Sequence, residues 1–151
     1  MGIRVIGIRE TQRNLTSIDA KLEFLIPTIV SRFAQRIAQV ARELYPKGSI
    51  DTGALLASIG NHLLESSTRL YIEEVYAGDP NFIRGEGAFT ISRKTGRPVS
   101  RVSTEEYAPY AHLPSSDQLI MEQVIKSAYD WGLKNVKRYV AQEVKRIVGG
   151  L

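Results

Sequence analysis

The sequence predicts an α+β fold: two long helices packed on a small antiparallel sheet, with a long loop or hairpin arm between them in chain order. Three observations predict it. Apolar residues recur in steps of three and four over two long stretches, one on each side of the chain's midpoint. Short alternating runs at residues 3–8 and 69–76 have strand periodicity. Residues 77–106 break both patterns, carrying Gly78, Gly85, Gly87, Gly96, Pro80 and Pro98. Segments of that length without regular pattern are uncommon inside compact domains and are usually functional or mobile.

Taken in order, Ile3-Arg4-Val5-Ile6-Gly7-Ile8 alternates as a short strand. Residues 9–14 read as a polar loop. Ser17 is a suitable N-cap, and Leu22, Leu25, Ile26, Ile29, Val30, Phe33, Ile37, Val40, Ala41 and Leu44 then form one apolar stripe on a helix over about residues 18–45. Pro27 either kinks that helix or marks where its regular part begins. Tyr45-Pro46 ends it, because proline biases its predecessor away from helical backbone. Ser49 to Thr52 offers caps for a short helix at residues 53–59, closed by Gly60-Asn61. The strand at 69–76 would turn Leu70 and Ile72 inward, with Val75 the next candidate. Within 77–106, residues 88–92 and 99–103 could pair across a turn at Lys94-Thr95-Gly96-Arg97. Tyr107-Ala108-Pro109-Tyr110-Ala111-His112 reads as an extended aromatic patch. Pro114-Ser115-Ser116-Asp117 caps a last helix with the stripe Ile120, Val124, Ala128, Trp131, Val136, Val140, Val144 and Ile147, and Gly132 is its weak point.

The chain has 151 residues, which fits one domain with a real core. No internal repeat is evident. There are no cysteines, which excludes disulfides, thiol catalysis and cysteine-ligated metal, and fits a protein made and assembled inside a cell. The formal charge of +4 permits a nucleic-acid or acidic partner without requiring one. Met1-Gly2-Ile3-Arg4 lacks an apolar signal region, and Ile6 stands where myristoylation needs Ser or Thr, so neither export nor lipidation is expected. Arg and Lys interrupt the longest apolar runs, so no membrane contact is expected.

Asp51-Thr52-Gly53 spells the triplet of retroviral-type aspartic proteases, in which two chains pair two carboxylates that share a proton. Such a triplet ends an apolar strand. Tyr45-Pro46-Lys47-Gly48-Ser49 is no core strand, and Leu55-Leu56-Ala57-Ser58-Ile59 reads as helix. The simpler reading makes Asp51 a cap, with Thr52 or Ser49 sharing that work and Gly53 permitting tight packing.

The wider pattern points elsewhere. A long helix ends at Pro46; Asp51-Thr52-Gly53, Leu55, Ser58 and Ile59 follow; then come strands, Tyr107, Ala108 and Tyr110, and a C-terminal helix. This order resembles the phage neck and minor tail proteins, including the lambda minor tail protein Z type and the tail-completion proteins of long-tailed phages. Four residues, Lys47-Gly48-Ser49-Ile50, separate proline from aspartate here, where members of that family often have one. The resemblance implies a non-enzymatic virion protein of the neck or tail, assembled in the host cytoplasm. It would act as a ring of identical subunits between head-connector or portal-associated proteins and tail-tube or tail-terminator proteins.

A closed ring needs two different patches per subunit. The arm supplies one candidate through Arg93, Lys94, Arg97 and Arg101, and Tyr107, Tyr110 and His112 supply the other. The arm could order only on docking. The same cations could touch phosphates, so an accessory nucleic-acid-binding protein is the alternative, without sequence-specific reading. His62 and His112 are the only histidines and are not spaced for zinc; no metal or cofactor is expected. Ser58 and Ser115 have no evident base or oxyanion partner.

Overall fold

The computed structural model describes residues 2–8, 25–67, 70–111 and 119–149. Its element order is β1 (Gly2–Ile8), α1 (Leu25–Leu44), α2 (Ala54–Ala57), β2 (Gly60–Ser66), β3 (Leu70–Tyr76), β4 (Ile83–Arg84), β5 (Val102–Ser103), α3 (Thr104–Tyr107) and α4 (Ile120–Gly149). This is the expected α+β architecture. The caps expected at Ser17 and at 114–117, and residues 18–24, lie outside the described residues.

The apolar stripe of α1 is buried from Ile29 through Phe33 and Ile37 to Ala41; Leu25 and Ile26 before it are half-buried, and Leu44 at its end is exposed. Pro27 sits in the first described turn. α4 buries Ile120, Met121, Val124, Ile125, Ala128 and Gly132. Phe33 meets the rings of Trp131 and Tyr139, with centroids 6.3 and 5.1 Å away. Arg32 pairs with Glu143 at 2.8 Å. Low numbers on α1 therefore meet high numbers on α4, and the two helices run antiparallel.

Gly132 lies inside α4 at a point of close approach to α1. A Cβ there would lie 3.3 Å from Ile37 Cδ1. Trp131 packs at the core edge beneath the Arg36 guanidinium, 5.6 Å from the ring centroid. Beyond Gly132 the expected stripe fades: Val136, Val144 and Ile147 are half-buried and Val140 is exposed. The described 20 residues of α1 span about 30 Å and the 30 residues of α4 about 45 Å, so the two cannot match along their whole described lengths.

The sheet has the order β1-β3-β2, all antiparallel. Ile3 pairs with Val75 and Val5 with Glu73, and this face meets the helices. The inward face of β3 is therefore Glu73 and Val75, not Leu70 and Ile72 as expected. Ile72 instead pairs with Ile6, which is exposed. Two large aliphatics suggested the wrong phase, because a buried glutamate is an unlikely reading of an inward position. Glu73 is tolerated there because Asn61 Nδ2 donates to it at 2.7 Å and the Tyr71 hydroxyl at 3.1 Å.

The run expected to end the short helix, from Gly60, instead begins β2. Leu63 and Leu64 lie together in it and are both exposed, with a bulge between Leu63 and Glu65. That pattern lacks the alternation by which a half-buried strand is recognised.

The arm also differs from expectation. Its turn lies where expected, with Ser92 N–H donating to Arg97 O at 2.9 Å and Val99 N–H to Thr90 O at 3.0 Å. The ladder is a single bridge, Ile91 with Pro98. Residues 87–89 coil into a 3-10 turn, and Val102–Ser103 pairs with Ile83–Arg84 instead. From Tyr107 to Tyr110 the aromatic patch is helical rather than extended. Ser103 Oγ accepts from the Glu106 amide at 3.3 Å and donates to the Glu106 carboxylate at 3.1 Å, so Ser103 and Glu106 nucleate α3. A 3-10 turn at Ala108–Tyr110 continues it, with Pro109 in its first positions.

Candidate functional site

The motif at 46–59 forms a joint between α1, the sheet and the arm. Pro46 starts a 3-10 turn over Lys47–Ser49, and the Ser49 amide donates to its carbonyl at 2.9 Å. Gly53 is the N-cap of α2 with φ 88°. A side chain there would find ordinary contact distance to Arg93, so the glycine serves the left-handed backbone rather than tight packing. Thr52 is buried and its Oγ1 accepts from the Ala54 amide at 3.3 Å. Leu55 and Ile59 enter the main core.

Asp51 does not cap α2. Its carboxylate reaches across to the arm. Arg84 Nη2 donates to Oδ2 at 2.8 Å, and Ser92 Oγ donates to Oδ1. The Asp51 carbonyl accepts from the Arg93 amide at 3.1 Å. Ser92 Oγ in turn accepts from the amides of Lys94 and Thr95, each at 3.2 Å, which fixes the turn at the arm's tip. Arg84 Nε is buried with no hydrogen-bond partner among the described residues, so Asp51 is the carboxylate that balances this guanidinium.

A second set of bonds holds the arm's root. Ser58 is buried; its hydroxyl donates to Leu55 O at 2.7 Å and accepts from the Gly78 amide at 3.1 Å. Thr104 is fully buried, accepting from the Asp79 amide at 2.8 Å and donating to the Asp79 carbonyl at 2.7 Å. Gly78 has φ 89°, and a Cβ there would lie 3.0 Å from both Ala108 Cβ and Thr104 O. The arm is thus pinned at root and tip, contrary to the expectation that it would order only on docking.

Tyr107 belongs to this joint and not to a free patch. It is half-buried beside Tyr45, and with Asp51, Thr52, Arg84 and Leu55 the two tyrosines line a cavity of about 210 Å³. Burial, aided by the neighbouring Tyr107, pushes the Tyr45 hydroxyl up to about 12. Burial also raises Tyr107, with Arg84 opposing and Asp51 reinforcing the shift. Tyr110, by contrast, is 74% exposed. His112 lies outside the described residues.

The cations expected to act together divide into three groups. Arg93 lies over Gly53 and bonds Asp51 through its backbone. Arg101 pairs with Glu86 at 2.8 Å. Lys94 and Arg97 are exposed at the tip and make no ion pair among the described residues. The sequence assigned no role to Arg84, Ser92 or Thr104, and it marked Gly78 only as a break in pattern. Their partners are 20 to 41 residues away in sequence, and no local periodicity marks such contacts.

No group of three or more potential metal-ligating side chains occurs among the described residues. Among the same residues, no helix is long and apolar enough to cross a membrane. Comparison with protein-family models, with curated proteins and with solved structures finds no match.

Proposed function

We propose that this protein is a structural subunit of a phage-like head–tail interface, a neck or tail-completion component that works in an oligomeric ring. One observation carries the reading most. Eight of the ten residues of the family-like pattern, Asp51, Thr52, Gly53, Leu55, Ser58, Ile59, Tyr107 and Ala108, converge on one joint that holds a long arm against a helix-and-sheet body; Pro46 starts the turn that leads into it, and Tyr110 is exposed. Such a joint suits an assembly protein, which must present a loop in a fixed pose to a neighbour.

The aspartic-protease reading fits less well. Asp51 follows a 3-10 turn and precedes a helix, and both its oxygens are engaged by Arg84 and Ser92. Pairing two such carboxylates across a dimer would require each to shed its arginine. The nucleic-acid alternative rests on Lys94 and Arg97 alone, as non-specific phosphate contacts.

The test is to mix the purified protein with a phage portal ring and tail tube and image the complexes by negative stain. The proposal expects closed rings of the protein at the portal–tube junction. Absence of any joint complex, or acid-pH peptide cleavage that Asp51→Asn abolishes, would overturn it.

A further inference from the structure

On the side of the molecule lined by the arm's root, an open groove of about 640 Å³ carries the carboxylates of Glu74, Asp79 and Glu105. Among the described residues no lysine or arginine lines it, and its lining includes the apolar Ala108, Pro109 and Met121. Asp79 is held in place: Oδ2 accepts from the Tyr76 hydroxyl at 3.1 Å, and Oδ1 from the Asn81 amide at 2.7 Å and from Asn81 Nδ2 at 2.9 Å. Glu105 is exposed and makes no ion pair among the described residues. Glu74 meets Arg4 and His62 only loosely, at 3.5 and 3.6 Å.

The arm's tip is the electrostatic counterpart. Residues 93–98 are all exposed, and Lys94 and Arg97 stand there without carboxylate partners among the described residues. The linings of the tip groove and the acidic groove share no residue. One copy can therefore give its tip to a neighbour while receiving another tip in its own groove, which is the condition for a head-to-tail contact that can close.

We infer that the subunit carries both halves of a copy-to-copy contact: the tip, through Lys94 and Arg97, docks into the groove of a second copy, against Glu74, Asp79 and Glu105. This deepens the ring reading and rests on it. Complementary charge sets the register and speeds encounter, and salt weakens it.

The test uses charge reversal on the full chain, read by sedimentation velocity at low and high ionic strength. One variant is K94E with R97E. The other is E74K with E105K, and E105K alone serves if the change at Glu74 unfolds the protein. Asp79 is left intact because it shapes the turn. The wild type should associate at low salt and dissociate as salt rises. Each reversal should weaken association about tenfold or more. An equimolar mixture of the two should restore it, since acidic tips then meet basic grooves and basic tips meet acidic ones. Wild-type association that neither reversal alters would overturn the inference and leave the ring reading standing. A wild type that stays monomeric even at a portal–tube junction would overturn both. Tip reversal that abolishes duplex-DNA binding while association persists would assign the tip to nucleic acid and overturn the inference.

Discussion

Asp51 and Arg97 line the same groove, yet their charges are used in different ways. Asp51 meets Arg84 and Ser92 within the molecule, and its backbone carbonyl takes the Arg93 amide. Arg97 meets no carboxylate among the described residues and faces solvent. The first arrangement spends polar groups on holding the arm. The second leaves charge available for something outside the chain. Residues of the first kind should therefore alter stability and arm order when changed, and residues of the second kind should alter association alone.

The largest effect is expected at the arm's root. Gly78→Val meets both a left-handed backbone and a Cβ clash with Ala108 and Thr104, and should cost about 3 kcal/mol or more in chemical denaturation. Gly53→Val has the same backbone problem with room for the side chain, and should cost about 1–2 kcal/mol. Equal losses at the two glycines would mean that the packing around Gly78 is looser than its 3.0 Å contacts imply.

The tyrosine pair gives the next effect. Tyr45 ionises at 10.0 when free and at about 12 when folded. Below the lower value both states keep the proton, so its contribution is constant. Above it the unfolded chain ionises first, and stability falls until the folded group ionises too. The loss should be on the order of 2 kcal/mol across that window, measured by denaturant titration at alkaline pH. Tyr45→Phe should flatten this part of the profile, and an unchanged slope would assign it to other groups.

Asp51→Ala should cost about 1–2 kcal/mol, since it leaves the Arg84 guanidinium without its carboxylate and Ser92 without its acceptor. Asp51→Asn should cost less, because the amide oxygen can still accept from Ser92. The smallest effect belongs to the tip: Lys94→Ala with Arg97→Ala should stay within about 0.5 kcal/mol of wild type in thermal unfolding. A larger loss there would place the tip with the joint rather than with the free surface.

The two helices and strand β1 were legible because burial against one face leaves a periodic trace in apolar residues, and the central strand β3 was legible in position but not in phase, since its inward face carries Glu73. The turn at the arm's tip was legible from Lys94-Thr95-Gly96-Arg97. β2 was not, since Leu63 and Leu64 are adjacent and exposed. The helical turn at residues 104–107 could have been read from Ser103 and Glu106, a pair at capping-box spacing. The joint was legible only in part. Asp51, Thr52 and Gly53 stood out as a motif, but Asp51 looked like a local cap because short-range capping is the commoner use of an aspartate beside a helix. Its partners Arg84 and Ser92 lie 33 and 41 residues on, and only the fold brings them to it.

The most direct measurement is amide hydrogen exchange on Asp51→Ala beside wild type. If Asp51 pins the arm, the amides of Ser92, Arg93, Gly96 and Val99, all hydrogen-bonded in the folded arm, should lose protection while those within α1 and α4 keep theirs. Undiminished protection of those four amides in the variant would contradict the account, and would leave the Asp51–Arg84 pair as a surface contact that orders nothing.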